Sequence, residues 1–264
     1  MPRVCLVTGA SSGIGRAVAH VLAASGEILV LAARREQVTE EVAQECRDRG
    51  AASVTVCATD VIDDDAVARL VATTTAAYGR IDAVLHCAGL VTYGTFLDTD
   101  PADFDTVVDV NLKGAANVAR HTLPVLREQG RGTLLLTGSL LGHVAVPEMT
   151  AYVVSKWGVR ALARQLKIEN ADLPGVRIAY AAPGSVDTPI YDKALDDGGA
   201  TSKPPPPVMS AEKVAGRIVR HLDAYRHELQ TAATNNVVIA GFEIMPWVYD
   251  RAIGPAFRLL SRRS

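Results

Sequence analysis

The chain of 264 residues has no excess of charge of either sign. Its 27 Lys and Arg face 29 Asp and Glu, a formal net charge of −2. A general nucleic-acid binder needs a clearly basic surface, so that class is excluded as the main function; a local basic pocket for a phosphorylated small molecule is not. Cysteine is scarce. Cys5, Cys46, Cys57 and Cys87 form no C-x-x-C pair and join no His/Cys cluster with zinc spacing, so no metal site is expected. Scattered thiols in a chain of this size read as buried residues of a reducing compartment. Long apolar runs are missing too. The longest are broken by Glu27, Gly138 or His143, and no helix of about 20 apolar residues can span a bilayer. Val4-Cys5-Leu6-Val7 looks like a first strand, not a secretory leader. A cytoplasmic protein is expected, and nucleic acid is not among its expected partners.

What is present is a core. Hydrophobic residues make up 48% of the chain, which excludes wholesale disorder. Short apolar runs at Val4–Thr8, Ile28–Ala32, Ser53–Cys57, Ile81–His86, Gly132–Thr137 and Val176–Ala181 alternate with longer amphipathic ones. In the latter, Ile14, Val18, Val21 and Leu22 share one helical face, as do Val67, Leu70 and Val71. Strict alternation with continuous apolar strands predicts an α/β fold: a doubly wound Rossmann-type parallel sheet with helices on both faces. One domain over 1–264 is expected, with a substrate lid at about 190–210, where Gly198-Gly199 precedes Pro204 to Pro207, and a divergent C-terminal segment at about 228–264. Ser210 reads as the cap of the helix after the lid.

Thr8-Gly9-Ala10-Ser11-Ser12-Gly13-Ile14-Gly15 joins the first strand to the first helix. Glycines let the backbone turn sharply against a pyrophosphate, and the helix N-terminus offers free N–H groups and partial positive charge. Only about 0.01 T-G-x-x-x-G-x-G matches are expected by chance in such a composition. After the second strand comes Ala33-Arg34-Arg35-Glu36, without the acidic residue that binds a ribose 2′-hydroxyl. A guanidinium suits a 2′-phosphate, so Arg34 and Arg35 favour NADP(H) over NAD(H). Tyr152 and Lys156, four apart, share a helix face. An ammonium near a phenol, with a cationic nicotinamide, stabilises phenolate and suits acid–base work near neutrality. Alone the pair is weak, with about 0.16 chance matches expected. Ser139, just past the strand Gly132–Thr137, falls at the sheet edge where ligands bind, and Asn111 sits where a helix interior disfavours Asn.

These motifs, in this order over about Arg3 to Tyr191, resemble the short-chain dehydrogenase/reductase superfamily in its short single-domain branch. The resemblance implies that Thr8, Gly9, Ser11, Ser12, Gly13, Ile14 and Gly15 cradle the cofactor and that Asp60-Val61 contacts adenine. It likens Cys87-Ala88-Gly89 to the N-A-G turn, with Cys87 in place of the Asn that braces the sheet. Asn111, Ser139, Tyr152 and Lys156 match the catalytic tetrad. Pro183-Gly184 resembles the P-G motif, after which Val186 and Thr188 hold the nicotinamide carboxamide. Arg34 falls at an NADP-selecting position of the family. The implied reaction moves a hydride between NADP(H) and a carbonyl or secondary alcohol. Tyr152 is the acid, Ser139 the oxyanion partner, Lys156 the group that lowers the Tyr152 pKa and binds ribose, and Asn111 the holder of a relay water. A homotetramer or homodimer is also implied.

Leu90, Tyr93, Leu141, Val144, Val146, Met149 and Tyr191 are expected to line an apolar substrate pocket, with His143 and Glu148 as solvated loop residues or, in the alternative, polar readers of the substrate. The tail departs from the family's acyl-carrier-protein reductases, which end in a short strand. It carries Gly241 through Tyr249 and then Ile253, Phe257 and Leu260, spaced as one helix face, with Arg251, Arg258, Arg262 and Arg263. Such a helix would cap the pocket or pack on a subunit partner; a membrane-surface anchor is the sharper alternative. Gly254-Pro255 is expected to interrupt it. The competing functions are a non-catalytic NADP(H)-binding sensor or scaffold and an NAD-dependent alcohol dehydrogenase.

Overall fold

Runs of Val, Ile, Leu and small residues form β1 (Val4–Thr8), β2 (Ile28–Ala33), β3 (Ser53–Ala58), β4 (Ala83–His86), β5 (Gly132–Thr137) and β6 (Val176–Ala182). Between them lie α1 (Gly13–Ala24), α2 (Glu36–Asp48), α3 (Asp64–Tyr78), α4 (Pro101–Val108), α5 (Gly114–Gln129) and α6 (Thr150–Glu169). A π turn, Asp109–Lys113, joins α4 to α5, and a 3₁₀ turn, Leu140–Gly142, follows β5. Beyond β6 come a two-strand pair, β7 (Val186–Asp187) and β8 (Met209–Ser210), then α7 (Ala211–Asp223), β9 (Glu228–Gln230), α8 (Ala233–Ile244) and α9 (Pro246–Ser261). This computed structural model describes residues 1–191 and 204–261, so most of the expected lid lies outside the described residues.

The main sheet runs β3-β2-β1-β4-β5-β6-β9 and every pairing is parallel. The chain winds outward from β1 in one direction and from β4 in the other, which opens a crevice at their carboxyl ends. Burial on both faces explains the lack of polar alternation. On one face Val18 and Leu22 of α1 and Val214 and Ile218 of α7 pack on Leu29 and Leu31. On the other, Val67 and Leu70 of α3, Val118 of α5 and Val159 of α6 pack on Leu6, Leu134 and Ile178.

Three expectations need correction. β4 begins at Ala83, not Ile81, because the Ile81 N–H is taken by the Gln129 side chain at 2.9 Å. The tail does contain a short strand: β9, only three residues and one apolar side chain long, pairs with β6. And α9 runs through Gly254-Pro255. Pro255 removes one ladder bond, but Phe257, two residues on, is 9% exposed and packed against Val91 and Met149, which holds the next turn in register. Ser210 does cap α7, its hydroxyl accepting from the Lys213 N–H. No helix among the described residues is long and apolar enough to cross a membrane.

Candidate active site

The cradle is built by backbone that only glycine can supply. Gly9 has φ +67°, and a Cβ there would stand 2.6 Å from the Ala88 amide nitrogen of the turn after β4. A Cβ at Gly15 would drive into the Gly9 carbonyl, and Gly13, at φ +55°, lies under Thr188. Ser12 enters α1 in extended backbone without a side-chain cap, and the first turn carries no acidic residue. The N-terminal N–H groups are therefore left for an external anion, the donor set a dinucleotide pyrophosphate needs. The Thr8 hydroxyl pairs with His86 Nδ1 at 2.8 Å and ties β1 to β4. Arg34 is exposed with Nη1 4.0 Å from Asp60, and Arg35 donates to the Ser11 hydroxyl at 3.3 Å. Val61 is buried, and its carbonyl accepts from Asn117. Cys87 accepts from the Thr137 hydroxyl at 3.4 Å, a thiol brace from β4 to β5.

Across the crevice, the end of β5 and the start of α6 bring Ser139, Tyr152 and Lys156 together. Ser139 caps the 3₁₀ turn, its Oγ accepting from the Leu141 N–H at 3.1 Å, so its own proton remains to be donated. Lys156 is 4% exposed; its Nζ donates to the Thr137 carbonyl at 3.1 Å and lies 5.5 Å from the Tyr152 ring centroid. Burial pulls the Lys156 ammonium down to about 8, with Cys87 working the other way. Burial also pushes the Tyr152 phenol well above its ordinary value, against a hydrogen bond from Ser139, and Tyr191 adds to the rise. The ammonium meets the ring and a carbonyl, and burial dominates the hydroxyl.

Asn111 sits in the π turn. Such a turn carries one extra residue, which swings the amide out of the helical pattern. It donates to the Leu90 carbonyl and the Ser155 hydroxyl, each at 2.9 Å, and accepts from the Leu90 N–H at 2.8 Å. Its amide is thus spent on bracing the Leu90 loop against α6, and none of these bonds reaches Lys156. Gly89 keeps the gap open: a Cβ there would stand 3.3 Å from Asn111 Oδ1 and 3.6 Å from Lys156 Nζ.

Ser139 and Tyr152 open into a cleft with about 120 Å³ of free space. Tyr93, Leu141, Val146, Met149 and Tyr191 line it as expected; Leu90 and Val144 do not, and Val91, Ile190, Pro205 and Phe257 take part instead. Among the described residues, no charged side chain lines it. Thr188 donates to the Val186 carbonyl at 3.4 Å, on the Gly13 side of the cleft. Pro183, buried, accepts from the Leu140 N–H at 2.6 Å and so ties the Ser139 loop to Gly184, itself on the cleft wall.

Sequence reasoning missed two buried groups near this site. His86 is 1% exposed, its Nε2 has no hydrogen-bond partner among the described residues, and burial and the Lys156 charge push it down to about 3, so it stays neutral. His143 is not a solvated loop residue: it is 2% exposed, and Nε2 lies 2.9 Å from Glu228 of β9. Only the strand that supplies Glu228 could have signalled this, and its sequence gave no pattern to read. Glu148 stays half-buried at φ +62°.

Residues 3–198 match the model of the short chain dehydrogenase family. Oxidoreductase UcpA of Salmonella typhimurium is 36% identical over 191 residues, which cover 72% of each chain. A glycine betaine reductase of Emericella nidulans is 32% identical over 240 residues; the match takes in 90% of this chain but 18% of that protein, so the chain spans under a fifth of that relative's length. Among solved structures, an alcohol dehydrogenase of the archaeon Thermococcus sibiricus complexed with 5-hydroxy-NADP superposes with a TM-score of 0.75 at 28% identity, covering 87% of this chain and 94% of that one. A levodione reductase superposes at 0.78, also 28% identical, covering 86% and 95%.

Proposed function

The chain belongs to the short-chain dehydrogenase family, and on that premise we propose that it is an NADP(H)-dependent reductase of apolar carbonyl compounds, able to run in reverse on the matching secondary alcohols. Family membership itself makes it an oxidoreductase with a nicotinamide cofactor and a small-molecule substrate. One observation carries the finer reading: Ser139 and Tyr152 stand together on the wall of a mainly apolar cleft, with Lys156 buried beside the Tyr152 ring. Bound nicotinamide supplies or takes the hydride. Ser139 donates to the carbonyl oxygen and stabilises its developing charge, Tyr152 delivers the proton to it, and Lys156 holds the cofactor ribose. Asn111 braces the loop that carries Leu90 and keeps α6 in place. We assign the adenosine end to Arg34, Arg35, Ser11 and Asp60. The fit of the cradle supports this, with an uncapped α1 terminus and glycines at every close approach.

The test is NADPH oxidation by the purified protein over a size-graded panel of aldehydes, ketones and quinones, with NADH in parallel. Turnover that rises with apolar bulk supports the reading. Tight NADPH binding without turnover on any of them would favour the sensor instead. For the cofactor, Arg34→Ala is expected to raise the NADPH KM about tenfold and leave the NADH KM within about twofold, since only the 2′-phosphate loses a partner. Equal effects on both cofactors would remove Arg34 from selection.

For the substrate, Phe257→Ala opens the far wall of the cleft. The kcat/KM for bulky ketones is expected to rise about tenfold relative to small ones, the worth of one good apolar contact. Because Phe257 belongs to a small satellite cluster with Val91 and Met149, Tm should shift by only a few degrees. An unchanged size ranking would detach α9 from specificity.

A further inference from the structure

The loop that carries Ser139 rests on a tyrosine that no sequence motif pointed to. Gly138 N–H bonds to the Ala181 carbonyl at 2.7 Å and Leu140 N–H to the Pro183 carbonyl at 2.6 Å, so the loop continues the ladder of β5 on β6. Ser139, between them, turns its backbone the other way: its carbonyl accepts from the Gly142 N–H at 3.0 Å, and among the described residues the one side chain bonded to that backbone is Tyr180. The Tyr180 hydroxyl accepts from the Ser139 N–H at 3.2 Å and donates to the Ser139 carbonyl at 3.1 Å. Tyr180 is fully buried. Space for its ring exists because residues 138 and 142 are glycines: a Cβ at Gly138 would collide with the ring and hydroxyl, and one at Gly142 with the hydroxyl and the Lys156 carbonyl. Two glycines that a reader of sequence would give to turns are in fact the walls of a slot for a phenol.

The slot is closed from the β9 side. The His143 ring meets Tyr180 edge-on, with centroids 5.9 Å apart. His143 is in turn held by Glu228 at 2.9 Å, and Glu228 stands opposite Tyr180 in the β6–β9 register. Gln230 donates to Glu228 at 2.8 Å, and Arg160 lies 3.8 Å away. Although burial works the other way, His143 and the Gln230 and Arg160 contacts hold the Glu228 carboxyl below its usual value, and burial keeps the Tyr180 phenol protonated, hence a constant donor.

We propose that Tyr180 is a positioning residue for Ser139: by gripping both the N–H and the carbonyl of that residue, and being itself pinned by His143 and Glu228, it aims the serine hydroxyl at the substrate oxygen. It touches neither substrate nor cofactor. The inference rests on the reductase reading above and deepens it. A hydroxyl misaimed by a fraction of an ångström loses much of its transition-state stabilisation, so the expected effect is large for a residue outside the cleft.

Tyr180→Phe keeps the ring in its slot and removes both bonds. It is expected to lower kcat about tenfold while the KM for NADPH stays within about twofold. In a Ser139→Ala background the same change should cost nothing further, because the group it positions is gone. It should also speed hydrogen exchange of the Ser139 amide about tenfold, a readout that needs no turnover. Gly138→Ala, which keeps the hydroxyl but pushes it off the serine backbone, should reproduce the loss and serves where Tyr180→Phe does not fold. Wild-type kcat in the folded variant, or a loss equally large with and without the Ser139 hydroxyl, overturns the proposal. Undiminished turnover in Ser139→Ala alone would instead overturn the role given to the serine in the reductase reading, and the amide-exchange result would still stand or fall by itself.

Discussion

Tyr152→Phe is expected to lose about a thousandfold in kcat while binding NADPH within about twofold of the wild type, as measured by turnover and by fluorescence titration. The substitution removes one oxygen and leaves the ring on the cleft wall beside Ser139. Burial raises the phenol pKa, with Ser139 opposing and Tyr191 adding, so at neutral pH the group is protonated and ready to deliver a proton to a carbonyl oxygen. The same raised pKa sets a sign for the reverse reaction. Alcohol oxidation needs the phenolate, so its rate should climb with pH where reduction does not. Turnover in Tyr152→Phe within tenfold of the wild type would sink the assignment.

The second large effect belongs to Lys156. Its ammonium, pulled down to about 8 by burial, is a cation below that pH and neutral above it. If the cation holds the cofactor ribose, kcat/KM for NADPH falls as pH rises through about 8, and Lys156→Met, with no such titration, gives a flat profile about a hundredfold lower throughout. A fall at the same pH in Lys156→Met would assign the titration elsewhere. Stability runs the opposite way. The folded pKa of about 8 lies below the ordinary 10.5, so between those values the unfolded chain binds more protons and the wild type gains stability on Lys156→Met as pH rises. That contribution is complete above 10.5 and gone once pH has fallen through about 8. Urea midpoints of the two proteins across this window would show it.

The fold and half of the site were legible in the sequence because each rests on a local pattern. The apolar runs of β1, β2, β5 and β6 and the Gly-rich turn into α1 declare themselves within a few residues, and Tyr152 and Lys156 share a helix face by spacing alone. β9 did not, for the opposite reason: Glu228-Leu229-Gln230 has one apolar residue and becomes a strand only by pairing with β6. His143 and Tyr180 were opaque for the same cause. A histidine in a loop reads as solvated until a strand some 85 residues later supplies its carboxylate, and a tyrosine in a buried strand reads as packing until Gly138 and Gly142 are seen to be cut to its shape. Asn111 stood out by its poor fit to a helix, and the π turn explains that misfit. The pairing of its amide with the Leu90 backbone and the Ser155 hydroxyl is set by the turn and by no motif.

The position of Phe257 has a consequence for how this chain can change over generations. The residues assigned to the cofactor and to proton transfer lie between Thr8 and Thr188 and are tied into the sheet, whereas the far wall of the cleft hangs on α9, packed on a three-residue cluster at its edge. Appetite and engine are therefore written in separate stretches of the gene. Drift, fusion or recombination in the final helix can retune which molecules are admitted while the machinery that handles them is inherited intact, and a graft of a foreign terminal helix is the corresponding shortcut for an engineer.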